Sequence, residues 1–184
     1  MCGTDHPAVA HGAQEEEDCL GADDEGSFSW LLQQCLHNRT TCPGGNDVPV
    51  NCWNTSAITN MDNAFGGGAY DDSIDDYYYN NEEVDEEHAI ITVFNEPLDC
   101  WDTAQVTTMR QLFASVASFN HDINGWNTAR VTSMLLLFRS SFSFNQDMNG
   151  WDTSQVTSMR SMFHSATSFN HDMNGWDTSH VRDM

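Results

Sequence analysis

Trp101, Trp126, Trp151 and Trp176 stand 25 residues apart, and a chain that repeats itself at such a period has to fold by stacking its units. Each indole opens a similar string: Trp-Asp-Thr-Ala-Gln-Val-Thr-Thr-Met from 101, Trp-Asn-Thr-Ala-Arg-Val-Thr-Ser-Met from 126, Trp-Asp-Thr-Ser-Gln-Val-Thr-Ser-Met from 151. The copy from 176 stops at Met184, partway into a unit, so a longer reading frame and an uncovered last coil are expected. The apolar skeleton of one unit runs Trp151, Val156, Met159, Met162, Phe163, Ala166, Phe169, Met173. Spacings of three and four predict that Val156, Met159, Phe163 and Ala166 share one face of a short helical segment. The stretch from Phe169 to Trp176 is too short for a second helix and ends in an Asn-Gly turn signal, which predicts a short strand and a bend. The expected fold is therefore an α/β repeat, a solenoid of coils of about 25 residues, each a short strand plus a short helical turn that cannot bury its apolar edges alone.

An earlier copy lies behind an insertion. Trp53, Ile58, Met61 and Phe65 keep the offsets of the later units, and Phe94 precedes Trp101 by seven residues as Phe119 precedes Trp126. The intervening stretch, about 66–93, carries nine acids and Tyr77-Tyr78-Tyr79, a charge too high for it to fold alone. Residues 1–26 read as an acidic disordered segment. Residues 27–52, with Phe28, Trp30, Leu31, Leu32 and Leu36 at helical spacing, read as a cap over the first coil, which stacked repeats need for solubility. The repeat region then spans 53–184, with coils starting at 53, 101, 126, 151 and 176.

The unit, Trp-Asp-x-Ser-x-Val-x-x-Met-x-x-Met-Phe-x-x-Ala-x-x-Phe-Asn-x-Asp, resembles that of the BspA-type leucine-rich repeat surface proteins, also described as the Mycoplasma-type DUF285 repeat family. The likeness covers residues 53–65 and 94–184. It implies a leucine-rich-repeat-like solenoid on secreted or surface-anchored proteins, several of them linked to adhesion to host or matrix proteins, and it implies no catalytic residue. The acidic insertion and the cysteine-bearing N-terminal region depart from the family pattern.

Charge narrows the partners. Residues 1–100 hold 21 of the 28 acids against one Arg, whereas residues 101–184 hold seven acids and five Arg, so the net charge of −22 belongs to the N-terminal half. With no lysine and no basic stripe, nothing can release counterions from a phosphate backbone, which argues against nucleic acid. No apolar run reaches the 18 or more residues of a membrane span, and the first residues lack the charged and hydrophobic stretches of a signal peptide. Six cysteines in the first 100 residues, none in a CxxC pair, favour disulfides and an extracellular or cell-surface location. Cys52 and Cys100 each precede a coil-opening Trp where later copies have Gly, which predicts a Cys52–Cys100 staple between neighbouring coils. Cys35 and Cys42 are expected to close a smaller ring. Asn38 and Asn54 stand in Asn-x-Ser/Thr triplets and are the candidate glycosylation acceptors.

Repetition lines equivalent side chains into ladders. The binding face is expected along Asn120, His121, Asp122, Asn145, Gln146, Asp147, Asn170, His171 and Asp172, with the Asn row bonding backbone at bends and the Asp row capping turns. One Asp per coil supplies too few oxygens for Ca²⁺, so no metal is assigned. Asp71, Asp72, Asp75 and Asp76 of the insertion remain weak Ca²⁺ candidates beside the reading of that loop as a solvated one. His121 and His171 are separated by Gln146, which leaves no His pair for a metal. Thr103, Thr128, Thr153 and Thr178 are expected to be N-caps of the helical turns, with an ice- or polysaccharide-binding hydroxyl surface as the alternative. No nucleophile, base and orienter come together, no cofactor motif appears, and a non-enzymatic module binding a protein or matrix partner is expected. End-to-end assembly of coils in a cell wall or appendage is the structural alternative.

Overall fold

The computed structural model describes residues 28–38, 49–66 and 92–184. Within them stand one α-helix, α1 (Phe28–His37), and one 3₁₀ turn, Val50–Cys52. The remainder is a pile of windings opened by Trp53, Trp101, Trp126, Trp151 and Trp176. Neighbouring windings touch at single parallel bridges, Asn60 with Thr108, Thr108 with Ser133, Ser133 with Ser158 and Ser158 with Asp183, which do not extend into a sheet. The expected α/β leucine-rich-repeat architecture is therefore overturned. Neither the helical turn at 156–166 nor the strand at 169–176 forms, and both stretches are turns and extended links.

The backbone shows what replaces the helix. From Met109 to Val116 the chain closes three turns, with the N–H of Leu112, Ala114 and Val116 donating to the carbonyls of Met109, Gln111 and Phe113. The alternate residues point their N–H groups along the stack instead: Met109, Gln111, Phe113 and Ser115 donate to the carbonyls of Ser133, Leu135, Leu137 and Arg139 in the following winding. The same alternation recurs from Met134 onward, where Met134, Leu136, Phe138 and Ser140 donate to Ser158, Arg160, Met162 and His164. Gln111 (φ 56°) and Ser115 (φ 63°) take the left-handed conformation that the third residue of a type II turn requires. Leu136 and Ser140, then Ser161 and Ser165, repeat those two positions 25 residues later each time. Consecutive three-residue turns carry apolar side chains inward at spacings of three and four, the spacing that also marks one face of a helix. Half of the backbone donors here find partners in another winding, which no helix permits.

The interior is built of columns. The Trp101, Trp126, Trp151 and Trp176 rings lie nearly parallel, with interplanar angles of 5°, 3° and 1° and centroids 6.0, 6.5 and 6.3 Å apart. Phe113, Phe138 and Phe163 form a second column and Phe94, Phe119, Phe144 and Phe169 a third. Within a winding the two Phe columns close to 4.2, 3.9 and 4.2 Å between centroids. Each indole N–H donates to the carbonyl three residues before the preceding Trp: Trp101 to Val50, Trp126 to Leu98, Trp151 to Ile123 and Trp176 to Met148. An aromatic ring of this size is buried without loss because its one polar group is satisfied across the interface. At 141 the Val116 column carries a serine, fully buried, whose hydroxyl donates to the Phe113 carbonyl at 2.6 Å.

Over the first winding lies α1. Its Phe28 ring meets Trp53 and Trp101 edge-on, at 6.4 and 5.4 Å. Ser29 and Gln33 donate to the carbonyls of Asp62 and Asn63. Among the described residues no winding precedes Trp53, and its buried indole N–H has no acceptor. The segment 1–26, Cys42 and nearly all of the acidic insertion, including Asp71, Asp72, Asp75 and Asp76, lie outside the described residues.

Candidate functional site

The expected binding residues come together on one side of the stack. Asn120, Asn145 and Asn170 each donate a backbone N–H to the side-chain oxygen of the Asn one winding earlier, that is Asn95, Asn120 and Asn145, at 3.0, 2.8 and 2.8 Å. Beside this row, His121 Nε2, Gln146 Nε2 and His171 Nε2 bond the carbonyls of Asn95, Asn120 and Asn145 at 3.0, 3.0 and 3.3 Å. A carbonyl only accepts, so Nε2 carries the hydrogen in both histidines, and His and Gln do the same work at this position. Asp122, Asp147 and Asp172 accept the N–H of Asn124, Asn149 and Asn174. The face is exposed or half-buried throughout, and its polar groups are held by bonds from one winding to the next.

Two further rows were missed from the sequence. Asn51, Asn124 and Asn149 each accept, through Oδ1, the N–H of the residue before the second Trp to follow in sequence, Trp101, Trp151 and Trp176: Cys100 at 2.9 Å, Gly150 at 2.7 Å and Gly175 at 3.4 Å. A β-carbon on Gly150 would sit 2.7 Å from Asn124 Oδ1 and 2.9 Å from its carbonyl, and one on Gly175 3.2 Å from the Asn149 carbonyl, so these two Asn-Gly pairs mark crossings between windings as well as turns, whereas Gly125 has open space. The second row follows each Trp. Asn54, Asp102, Asn127, Asp152 and Asp177 accept the N–H two residues ahead, from Ser56, Ala104, Ala129, Ser154 and Ser179, at 2.9 to 3.1 Å. Hydrogen bonds from the Ser154 and Ser179 side chains, then from their backbones, hold the Asp152 and Asp177 carboxyls below the ordinary range. The regular placement of Asn-Gly and Trp-Asx at the 25-residue period was the signal for both rows.

The threonines differ from expectation. Thr55, Thr103, Thr128 and Thr153 are buried and donate their hydroxyls to the carbonyls of Asp102, Asn127, Asp152 and Asp177 in the following winding, so they tie windings together rather than capping helices. Thr107, Thr132 and Thr157 form the outer row, each donating its hydroxyl to the preceding threonine carbonyl, from Thr59 to Thr132.

The staple expected between Cys52 and Cys100 is not made: Cys52 carries a free thiol, while Cys35 and Cys100 each stand in a disulfide, and the ring expected between Cys35 and Cys42 involves a residue outside the described ones. Asn38 and Asn54 are both exposed. Among the described residues no group of three or more His, Cys, Asp or Glu is placed to hold a metal ion, and no helix is long and apolar enough to cross a membrane.

Searches of curated proteins and of solved structures each returned no match. One protein family does match, over residues 35–86 and 82–184, spans that reach from the last turn of α1 through every winding. The chain thus belongs to the family described as Mycoplasma protein of unknown function, DUF285.

Proposed function

We propose that the chain is a non-enzymatic binding or adhesion module of the cell surface or extracellular space, and that its contact face is the row Asn95, Asn120, Asn145, Asn170 with His121, Gln146 and His171 alongside. The observation that carries this reading is the bonding of those side chains from winding to winding, which fixes a polar surface in advance of contact. A surface ordered beforehand loses little conformational entropy on association, and an extended one suits a large partner better than a small substrate. The disulfide-bonded Cys35 and Cys100 support an oxidising compartment. The motif's likeness to BspA-type surface proteins supports adhesion as the role, by analogy of sequence and not of fold.

The test is a binding screen of the full chain against immobilised matrix and cell-surface proteins, repeated with the triple variant His121→Glu, Gln146→Glu, His171→Glu. A partner whose affinity falls by about tenfold or more in the variant supports the assignment of the face, since a few central residues dominate most interfaces. A screen that stays blank, or binding that the variant leaves unchanged, overturns it.

A further inference from the structure

The turn after each Trp is closed by an Asx side chain, and the chain itself shows which atoms that closure uses. Aspartate serves at 102, 152 and 177, so an acceptor oxygen is all the turn needs. At 54 the residue is Asn, and its Oδ1 accepts both the Ser56 N–H at 3.1 Å and the Ser56 hydroxyl at 2.7 Å. Its Nδ2 is surplus to the turn and has no hydrogen-bond partner among the described residues. Thr55, between them, is buried and bonded to Asp102, which leaves Asn54 and Ser56 exposed on either side. Asn127 also supplies an amide, but there the residue two ahead is Ala129. Of the five Trp-Asx turns, the first alone combines an unengaged amide nitrogen with a hydroxyl on its carbonyl.

We propose that Asn54 is an N-glycosylation site, taking an oligosaccharide from a lipid-pyrophosphate donor. In the transfer, Nδ2 displaces the pyrophosphate from C1 of the first sugar, forming the N–C bond, and loses one proton as the lipid pyrophosphate leaves. The Ser56 hydroxyl on Oδ1 draws the nitrogen lone pair toward the carbonyl and so acidifies the N–H, easing transfer of that proton to the departing pyrophosphate as the N–C bond forms. Because the glycan grows from Nδ2 while the turn is held through Oδ1, the modified residue keeps its place in the folded winding. The inference shares with the proposed function only passage through a secretory compartment. The experiment supplies that passage, so a negative result counts against Asn54 and not against the binding face.

The full chain is directed by a cleavable leader into the yeast secretory pathway, and leader-cleaved protein is collected from cells and medium together. Enzymatic release of N-glycans in heavy-oxygen water then marks each formerly occupied Asn as labelled Asp in the peptide map. Two variants have precedents inside this chain: Asn54→Asp copies residues 102, 152 and 177, and Ser56→Ala copies 104 and 129. The expected result is label at 54 in the wild type, none at 54 in either variant, and melting of both variants close to that of enzymatically deglycosylated wild type. Leader-cleaved wild type without label at 54 overturns the site. Label persisting in Ser56→Ala overturns the role given to the hydroxyl, and a variant that fails to fold overturns the claim that the turn needs only Oδ1.

Discussion

Single residues in this protein are best understood through what occupies the same position one winding away. Asp152 and Asp177 close the same turn, and their carboxyls are lowered by the Ser154 and Ser179 side chains first and their backbone N–H groups second. A carboxyl whose folded pKa lies below its unfolded value contributes stability that is fully present above the unfolded value and is lost as pH falls through the folded one. Resolved titration by NMR is therefore expected to place both midpoints below 3.8, and Ser154→Ala to raise that of Asp152 while leaving Asp177 in place. A midpoint for Asp152 that does not respond to the substitution would show that the hydroxyl bond is not what lowers it. The cysteines allow a second check at this scale. Under non-reducing native conditions an alkylating agent is expected to modify Cys52 and to reach Cys35 and Cys100 only after reduction, as peptide mapping reads directly. Protection of Cys52 and Cys100 together until reductant is added, with the two recovered in one disulfide-linked peptide, would restore the staple that the spacing of the two cysteines suggested.

At the scale of the element, the segment Met159–Ala166 shows where sequence patterning reaches its limit. Its inward side chains, Met159, Met162, Phe163 and Ala166, were legible, and all four sit in or against the core. Its backbone was not legible, because a helix and a run of i to i+3 turns place apolar residues at the same intervals. Ser165, exposed and at φ 60°, separates the two. Relief of the left-handed strain, worth about 1–2 kcal/mol, favours Ser165→Gly, partly offset by the greater freedom of glycine in the unfolded chain, whereas the branched side chain of Ser165→Val fits this conformation worst. Denaturant unfolding should rank Gly at or above wild type and Val below it by about 1 kcal/mol or more. In a helix the order reverses, since there glycine is the poorer residue, so Val more stable than Gly would return the segment to a helical reading.

For the molecule as a whole, stability resides in columns that no winding contains by itself. The Phe138 ring stacks on Phe113 on one side and Phe163 on the other, and lies 3.9 Å from Phe144. Phe138→Ala removes all of these contacts from a site with no exposure and is expected to cost about 3–5 kcal/mol, with unfolding read by denaturant midpoint. Phe142, four residues on and 47 % exposed, is expected to tolerate alanine within about 0.5 kcal/mol. Similar losses at both positions would mean that the columns do not carry the fold.

The chain alone established its period, the residues that face inward and the polar row through Asn120, Asn145 and Asn170, because each is a matter of identity recurring at a fixed interval. It did not establish the path of the backbone, since the decisive hydrogen bonds, such as Phe113 to Leu137 and Phe138 to Met162, join residues about one period apart and leave no mark on local spacing. Nor did it establish which thiols pair, for that depends on which sulfur another cysteine reaches first in space. Tertiary structure decided the path, because from Met109 to Val116 half of the main-chain donors are satisfied only by carbonyls of the following winding, and it left Cys52 outside any disulfide.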